Sequence, residues 1–343
     1  MADPRRDPRF VLAQRVDAAV IAGVPVDDVT MAQTLSIIEA FIDEGRATGR
    51  SFQIATINVD FVVNAQRDAS VLAILQRADL CLPDGMPIVW HARLTGIKFR
   101  ERVAGADLVA LIVDRSRAVG WRVLLFGSAA GVAESAAQLL LEKYPDAVVK
   151  GISGPFMSDV RRMDQSDIDE IVTFAPDVIC VALGNPKQEK WIEAHRSALG
   201  ASVLIGVGGT LDFLVGERRR APIWMRRSGL EWLFRAVQEP RRLGRRYMRD
   251  ARVFGPLLPR AAIARVRSAT TKPHTFSGEL DVGADRYVVD LGGRSVTTHD
   301  AAQLVGLART ANRAGKRLEL VGVTAGTAQI LESANIVKMF NIT

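Results

Sequence analysis

The hydrophobic residues of the chain fall into short apolar runs that alternate with longer amphipathic segments over residues 21–215. The runs have the length and β-branched content of buried strands, whereas the longer segments repeat apolar residues at helical spacing. The predicted elements are helix Met31–Glu44, strand Ser51–Ile57, helix Phe61–Arg77, strand Asp79–Leu82, helix Asp107–Val119, strand Arg122–Phe126, helix Gly131–Tyr144, strand Ala147–Lys150, helix Ser166–Phe174, strand Val178–Leu183, helix Lys187–Ser197 and strand Val203–Val207. This alternation predicts a doubly wound, Rossmann-like α/β fold with a mainly parallel sheet, which binds ligands beyond the carboxyl ends of its strands.

The pattern changes on both sides of this predicted core. Residues 1–20 are polar and are predicted to form a flexible arm, and residues 216–254 are rich in arginine and have helical periodicity. Residues 255–275, rich in proline, arginine and alanine, are predicted to be a linker. A small second α/β unit is predicted over residues 276–343, with strands Tyr287–Leu291 and Arg317–Val321 and helices Ala301–Ala314 and Thr327–Ala334.

We call residues 216–254 the basic appendage. Its apolar residues recur at i, i+3, i+4 and i+7 before Pro240 and at i, i+4, i+8 and i+11 after it, and both helical spacings together predict two amphipathic helices. The first stripe consists of Leu230, Leu233, Phe234 and Val237, and the second of Leu243, Tyr247, Ala251 and Phe254. Such stripes pack either on the protein's own core or on an external apolar surface, and their spacing alone does not choose between the two.

Positive charge is concentrated in and just after the appendage. Residues 217–267 contain fifteen arginines, no lysine and four carboxylates, a net charge of +11, whereas the whole chain carries +7 and the remainder therefore −4. Guanidinium groups bind phosphate oxygens through a bidentate fork, which indicates a phosphate-rich partner. Together with the rings of Trp224, Trp232 and Tyr247, this charge favours an anionic membrane surface. Nucleic acid is disfavoured because no helix-turn-helix, zinc-finger or RNA-binding signature accompanies the arginines.

The sequence contains no apolar stretch near the roughly 20 residues that a membrane span needs, and its N-terminus lacks the apolar region of a signal peptide. We therefore expect a cytoplasmic protein, peripheral on the inner face of the cell membrane. Cys81 and Cys180 lie singly in apolar runs, which predicts reduced thiols and no metal site. Residues 167–169 have the form of a metal-binding DxD motif, but Ser166 is interpreted as a helix N-cap, so no metal is assigned to them.

Polar residues follow the first predicted strands. Thr56 and Asn58 come at the end of one strand, Asp84 follows the next between a proline and a glycine, and Arg102 precedes a later helix. A ligand can approach the backbone closely at such a turn. The alternatives are that Asn58 only caps a helix and that Asp84 is an ordinary turn residue.

Small and polar residues also follow the later strands. They are Gly127 in a small-residue turn, Gly184, Pro186, Gln188 and Glu189 in a turn that opens a helix, and Gly208 and Asp212 after the last strand of the core. Backbone amides in such turns can receive phosphate oxygens. The last of these loops lacks the GxGxxG pattern, so no dinucleotide cofactor is predicted and an oxidoreductase on the same sheet is disfavoured.

Six blocks in order make the chain resemble the WecG/TagA/CpsF glycosyltransferase family over about residues 22–253. They are Thr56 with Asn58, Pro83-Asp84-Gly85, Arg102-x-x-Gly105-x-Asp107, Gly184-x-Pro186-Lys187-Gln188-Glu189, Gly206-Val207-Gly208-Gly209-x-x-Asp212, and an appendage block that includes Arg220-Ala221-Pro222, Gly229-Leu230-Glu231-Trp232, Glu239-Pro240-x-Arg242 and Arg246-Tyr247. One such block could arise by chance, but six in register argue for the family.

The resemblance implies transfer of a sugar from a UDP-sugar donor to a polyprenyl-pyrophosphate-linked saccharide acceptor at the cytoplasmic leaflet, in bacterial surface polysaccharide synthesis. Transfer would invert the anomeric centre and need no metal or other cofactor. The donor sugar would be of the N-acetylmannosamine, N-acetylmannosaminuronic acid or glucuronic acid type. The resemblance makes Asp84 the candidate general base beside Thr56 and Asn58, and it places Arg102 and Gln188 near the sugar and pyrophosphate.

The appendage then supplies candidate contacts to the membrane or to the lipid diphosphate. These candidates are Arg220, Arg227, Trp232, Arg235, Arg242 and Arg246. We hypothesise that appendage arginines close over the site when the appendage meets the membrane.

Residues 276–343 resemble a STAS domain, the regulatory module of anti-sigma-factor antagonists. The resemblance rests on Gly278-Glu279-Leu280-Asp281, Val288-Val289-Asp290-Leu291-x-Gly293 and Arg317-Leu318-x-Leu320-Val321-Gly322-Val323. It implies a protein partner, although Asp300 stands where such domains often carry a phosphorylatable serine. A structural or dimerising appendage within a homo-oligomer is the other interpretation. If this unit dominated, the protein would be a non-enzymatic membrane-associated regulator.

Overall fold

The computed structural model describes residues 18–154, 159–216, 221–222, 225, 231–238, 240–268, 286–294 and 296–342. The first two strands, β1 (Ala18–Ile21) and β2 (Val24–Asp27), form an antiparallel hairpin. The next six are β3 (Phe52–Ile57), β4 (Leu80–Pro83), β5 (Arg122–Gly127), β6 (Val148–Ile152), β7 (Val178–Ala182) and β8 (Val203–Gly206). They form an all-parallel sheet in the order β4-β3-β8-β7-β5-β6, so the predicted doubly wound α/β fold is confirmed.

Helices cover both faces of this sheet. They are α1 (Met31–Thr48), α2 (Val59–Arg67), α3 (Ala69–Arg77), α4 (Met86–Leu94), α5 (Gly105–Val119), α6 (Val132–Lys143), α7 (Gln165–Phe174), α8 (Lys187–His195) and α9 (Thr210–Leu214). Alternate residues of β5 enter opposite cores: Val123 and Leu125 pack in one cluster, and Leu124 and Phe126 in another. Burial on both faces explains why the strands read as nearly continuous apolar runs.

The helix predicted over residues 61–77 is two helices, because Asp68 ends one and begins the next. Asp68 is the C-cap residue of α2 and the N-cap residue of α3, and its carboxylate accepts a hydrogen bond from the Ser70 N–H at 2.9 Å. An aspartate side chain that bonds nearby backbone competes with continued helix. A second difference concerns α7, whose N-cap residue is Asp164, so that Ser166 lies inside the helix.

The two helices that the spacing predicts for the basic appendage are present in the part that the structure describes, and Pro240 begins the second. They are α10 (Glu231–Gln238) and α11 (Pro240–Phe254). A third helix, α12 (Leu257–Ser268), occupies most of the segment predicted to be a linker, and Leu257 and Leu258 pack with Phe254 against the core cluster that contains α4. Burial of these side chains stabilises α12. The prolines at positions 256 and 259 do not prevent the helix, because they lie at its N-terminus, where backbone amides have no carbonyl partner within the helix. None of the described helices combines the length and apolar composition needed to cross a bilayer.

The C-terminal part contains its own small sheet, with β9 (Arg286–Asp290), β10 (Arg317–Val321) and β11 (Phe340–Ile342) in the parallel order β11-β10-β9. Helices α13 (Thr298–Arg313) and α14 (Ala325–Ser333) accompany it. The two predicted strands and the two predicted helices therefore lie near their predicted positions, and β11 was not predicted. Gly278–Asp281, the first part of the STAS resemblance, lies outside the described residues. The STAS identity stays a prediction.

Helix α13 docks this C-terminal part on the hairpin and on β4 through buried ion pairs. The Arg309 guanidinium, 5% exposed, donates from Nη1 to both carboxylate oxygens of Asp27 at 2.8 and 3.0 Å and from Nε to the Ala78 carbonyl at 2.9 Å. Arg313 bonds the side chain of Asp79 at 3.2 Å and also its carbonyl. Asp27 in turn accepts the Cys81 N–H at 2.7 Å, so the contact reaches the backbone of β4.

Candidate active site

A cleft of two compartments lies at the carboxyl ends of the parallel strands. The first compartment is polar, has a volume of about 470 Å³ and lies among the loops that follow β3, β4, β5, β7 and β8. Of the residues predicted for the site, it is lined by Thr56, Asn58, Asp84, Gly184, Gln188, Gly208, Asp212 and Arg246. These residues come from five separate segments. The shared direction of the strands brings four of the segments to one edge of the sheet, and Arg246 reaches the compartment from the basic appendage.

The second compartment is mainly apolar and has a volume of about 480 Å³. It lies between α4 and the helices α11 and α12, and its walls include Met86, Trp90, Leu94, Phe254 and Leu258. Burial lowers the pKa of His91, on α4, to about 4, so its imidazole is neutral at neutral pH.

Asp84 lines both compartments and therefore stands at their junction. Its N–H donates to the Ile57 carbonyl at 2.8 Å, which continues the β3–β4 pairing for one residue beyond β4. Gly85 follows at φ +139°, where a side chain would be strained, and lets the chain turn into α4. The half-buried carboxylate is thus presented at a strand end by rigid backbone on both sides.

Thr56 and Asn58 hold the neighbouring strand end. The Thr56 hydroxyl donates to the Gly206 carbonyl at 2.7 Å and so ties β3 to the end of β8. The Asn58 side chain accepts the Asp60 N–H at 3.0 Å as the N-cap of α2. The capping role anticipated for Asn58 is therefore present, and the same residue lines both compartments.

The N-terminus of α5 faces the polar compartment. Its N-cap residue is Ala104, whose methyl group cannot accept a hydrogen bond, and Ala104, Gly105 and Ala106 all line the compartment. A Cβ added to Gly105 would lie 3.4 Å from Thr56 Cγ2 and 3.9 Å from Asp84 Oδ2. The first amides of this 15-residue helix and its dipole therefore provide positive potential close to Asp84, where an anion would be stabilised.

Ser128 and Asp212, which also line the polar compartment, form a hydrogen-bonded pair. The Ser128 hydroxyl donates to the Asp212 carboxylate at 2.6 Å, and Ser128 has φ +68°, a backbone conformation that is unusual for a serine. Residues held in such conformations are concentrated at binding sites. In the turn predicted around Gly127, the residue that lines the cleft is therefore Ser128.

The appendage supplies the cover of the cleft. Glu231, Arg246 and Tyr247 line both compartments, and Arg246 Nε lies 3.6 Å from the Asp60 carboxylate, which also pairs with Arg249. Glu231 pairs with Arg102 at 3.0 Å, and Arg102 lines only the apolar compartment. Arg220 and Arg227 lie outside the described residues, as do the side chains of Trp232, Arg235 and Arg242.

A model of the glycosyl transferase WecG/TagA/CpsF family matches residues 19–268. The chain belongs to this family. It is 30% identical over 227 residues to the N-acetylglucosaminyldiphosphoundecaprenol N-acetyl-beta-D-mannosaminyltransferase of Bacillus spizizenii, covering 66% of this chain and 84% of the relative. It is also 30% identical over 225 residues to the transferase of that name from Staphylococcus aureus strain MW2, covering 66% of this chain and 86% of the relative. The family match ends before the C-terminal sheet.

Three residues predicted to bind substrate, one from the turn after β5 and two from the block that opens α8, do not line either compartment in the described structure. Gly127 leaves room for the neighbouring strand, because an added Cβ would lie 2.9 Å from Leu183 Cδ2. Pro186 is the N-cap residue of α8 and follows a cis peptide bond from Asn185. Glu189 is fully buried beneath the cleft. Asn185 and Gln188, their chain neighbours, line the polar compartment instead.

The sequence patterns did not assign Asp60, Ser128, Asn185 and Glu231 to the candidate site, although all four line the cleft. Asp60 and Ser128 follow predicted strands, as the assigned site residues do. Their position after a strand could therefore have predicted that they line the cleft. Glu231 lies in the appendage, and no local pattern shows which face of α10 covers the cleft. Among the residues that the structure describes, no three His, Cys, Asp or Glu side chains are grouped so that they could hold a metal ion.

Proposed function

We propose that the protein transfers a sugar from a UDP-sugar to a polyprenyl-pyrophosphate-linked saccharide, with inversion at the anomeric carbon and without a metal ion. The observation that carries this proposal is the position of Asp84, where a polar and an apolar compartment of similar volume meet. Membership of the family, and the acceptor and transferred sugar in the name of its relatives, support a transferase on a polyprenyl-linked saccharide. Among the donor sugars considered, the relatives favour N-acetylmannosamine.

The polar compartment is proposed to bind the UDP-sugar. Its diphosphate would lie against the first amides of α5, with Arg246 as a cation on the appendage side. Preorganised amides and guanidinium groups stabilise the charge that develops on a leaving diphosphate. Asp212, oriented by Ser128, would accept a hydrogen bond from the nucleoside or the sugar. This arrangement gives the leaving group the stabilisation that other enzymes obtain from a divalent ion.

Asp84 is proposed to act as the general base. Its carboxylate accepts the proton of an acceptor sugar hydroxyl while that oxygen attacks the anomeric carbon of the donor. The bond from the anomeric carbon to the diphosphate oxygen breaks, and UDP leaves with the electron pair. Attack from the face opposite UDP inverts the anomeric centre, and one base is sufficient for this reaction.

The apolar compartment is proposed to receive the first isoprene units of the acceptor. Its aliphatic and aromatic walls suit a hydrocarbon chain, and Trp90 at 39% exposure stands at its margin. Large apolar residues of the appendage are also exposed, among them Val237 at 74% and Met248 at 61%, on helices that carry many arginines. An apolar face bordered by cations is typical of a protein surface that lies on an anionic leaflet.

Transfer is expected to proceed in the presence of a chelator. A panel of UDP-sugars should be assayed with a short-chain polyprenyl-pyrophosphate-linked saccharide as the acceptor, with and without EDTA, and UDP release should be measured. The expected result is turnover with UDP-N-acetylmannosamine at the same rate in both conditions, because amides and arginine stabilise the diphosphate. Loss of turnover in EDTA, restored by added magnesium ion, would contradict metal independence, and no turnover with any UDP-sugar would contradict the function.

Trp90→Ala is expected to raise KM for an acceptor with a long isoprenoid chain by about tenfold, because a large aromatic contact to the chain is lost. KM for a water-soluble acceptor that lacks the chain should stay within about twofold. Leu111→Ala is the control, since Leu111 has similar exposure, 37%, on α5. Equal effects on the two acceptors would exclude the apolar compartment as the isoprenoid site.

A further inference from the structure

Glu189 is the charged group buried directly beneath the polar compartment. It has no exposed surface, and its two carboxylate oxygens accept hydrogen bonds from side-chain amides that line the cleft. Gln188 Nε2 donates to one oxygen at 2.8 Å, and Asn185 Nδ2 donates to the other at 2.7 Å. Glu189 therefore contacts two lining residues without reaching the cleft itself.

The direction of these hydrogen bonds follows from the carboxylate. An ionised carboxylate only accepts, so both amide NH₂ groups must point to Glu189 and both amide oxygens must point away from it. Gln188 Oε1 then accepts the Gly208 N–H at 3.0 Å, and Asn185 Oδ1 accepts from Asn64 Nδ2 at 2.5 Å. A relay of fixed polarity runs from α2, through Glu189, to the loop after β8.

The end of β8 is shaped to admit this relay. A Cβ on Gly206 would lie 2.3 Å from Gln188 Nε2 and 2.8 Å from Glu189 Oε1, distances that no side chain tolerates. The Gly206 carbonyl accepts the Thr56 hydroxyl on its other side. The strand end before Gly208 is therefore held between Thr56 and Gln188, both of which line the polar compartment.

We propose that Glu189 is a positioning residue. It fixes the orientation of the Gln188 and Asn185 amides and, through Gln188, the position of the Gly208 loop of the polar compartment. A neutral glutamine of the same size could not replace it, because its amide offers one acceptor oxygen to two donors. One of the two neighbouring amides would then face a donor and have to rotate. The activity readout rests on the proposed function, whereas the orientation of the amides does not.

Protonation of Glu189 has the same consequence as the glutamine substitution. Burial raises the pKa of Glu189 to about 7, and the negative charge of Asp60, itself paired with Arg246 and Arg249, acts in the same direction. Below this pH one carboxyl oxygen of Glu189 carries a proton and becomes a donor. It then faces the NH₂ group of Gln188 or Asn185, and that amide must rotate to restore a hydrogen bond. Activity should therefore rise as pH increases through about 7.

The effect of the same ionisation on stability has the opposite sign. The folded-state pKa of Glu189 lies above the value of 4.5 for an unperturbed glutamate. The stability that it contributes is therefore fully present below about pH 4.5 and is lost as pH rises through about 7. A residue with only a structural role would make the protein better folded at low pH and would not lower activity there.

The experiment compares the wild type, Glu189→Gln and Glu193→Gln in the full chain. For Glu189→Gln we expect UDP, measured by calorimetry at pH 8, to bind about tenfold more weakly, as expected when a buried hydrogen bond loses its partner. The rise of kcat/KM near pH 7 should disappear. Glu193 lies one turn further along α8 and pairs with Arg77 near the surface, so its variant should keep both the wild-type affinity and the pH profile.

A second readout is independent of transferase activity. The side-chain amide resonances of Gln188 and Asn185 should shift with a midpoint near pH 7 in the wild type, and these shifts should be absent in Glu189→Gln, with folding checked by circular dichroism. Shifts that persist in Glu189→Gln, or UDP affinity equal to that of the wild type, would overturn the proposal. If the wild type transferred no sugar but the amide titration were present, the proposed function would fail while the positioning role would stand.

Discussion

Replacement of Asp84 by asparagine is expected to lower kcat by about 10²–10⁴-fold, the usual contribution of a general base. Asparagine preserves the size of the side chain but cannot accept a proton from the acceptor hydroxyl. Affinity for UDP should stay within about twofold, because the proposed nucleotide contacts are the amides of α5 and the later loops rather than this carboxylate. The loss should therefore be seen in single-turnover transfer and not in UDP titration.

The matched control is Asp114→Asn on the exposed face of α5, where Asp114 pairs with Arg117 at 3.1 Å. This variant should transfer sugar at the wild-type rate. Asp84→Asn transferring at the wild-type rate would show that Asp84 is not the base, and the junction between the compartments would then need another explanation. Equal losses of UDP affinity and kcat would instead indicate that Asp84 acts in donor binding.

Arg309→Met is expected to lower the free energy of unfolding by about 3–5 kcal/mol, because it leaves the buried Asp27 carboxylate without its cation. The pair is shielded on both sides, with Arg309 and Asp27 each 5% exposed. Urea unfolding of the full chain, followed by circular dichroism, measures the change. Asp27→Asn combined with Arg309→Met should recover much of the loss, since asparagine can still accept the Cys81 N–H without a buried charge.

The control for this pair is Arg115→Met. Arg115 and Glu39 form an ion pair in which both side chains are exposed, so its loss should change the free energy of unfolding by less than about 1 kcal/mol. A similarly small change for Arg309→Met would contradict the role of α13 in stabilising the core. The expected result would support the structural interpretation of the C-terminal part. If this part detached as a regulatory module, Asp27 and Asp79 would lose their arginine partners, and that loss would destabilise the core.

Local patterns were sufficient for the parallel sheet and for much of the cleft. They did not predict the β1–β2 hairpin, whose first strand begins at Ala18 inside the segment predicted to be a flexible arm. Burial on both faces makes parallel strands apolar, and helices between them keep their periodicity, so the alternation identified the sheet. Thr56, Asn58, Asp84 and Gln188 could be placed at one edge because each follows a strand that runs in the same direction. Because residues 255–275 are rich in proline and arginine, they were predicted to be a linker, and α12 was not predicted. This helix depends on packing against α4 rather than on its own composition.

The sequence by itself determined the order of the six parallel strands along the chain, the family, and the concentration of arginine in the appendage, since each is a property of neighbouring residues along the chain. Only the tertiary structure decided that Gln188 lines the cleft while Glu189 lies beneath it, because adjacent helical residues point in different directions and their surroundings choose between them. It also decided that Arg309 meets Asp27, 282 residues away. Such pairs depend on which surfaces become buried together, and periodicity within one segment carries no information about the segment that will cover it.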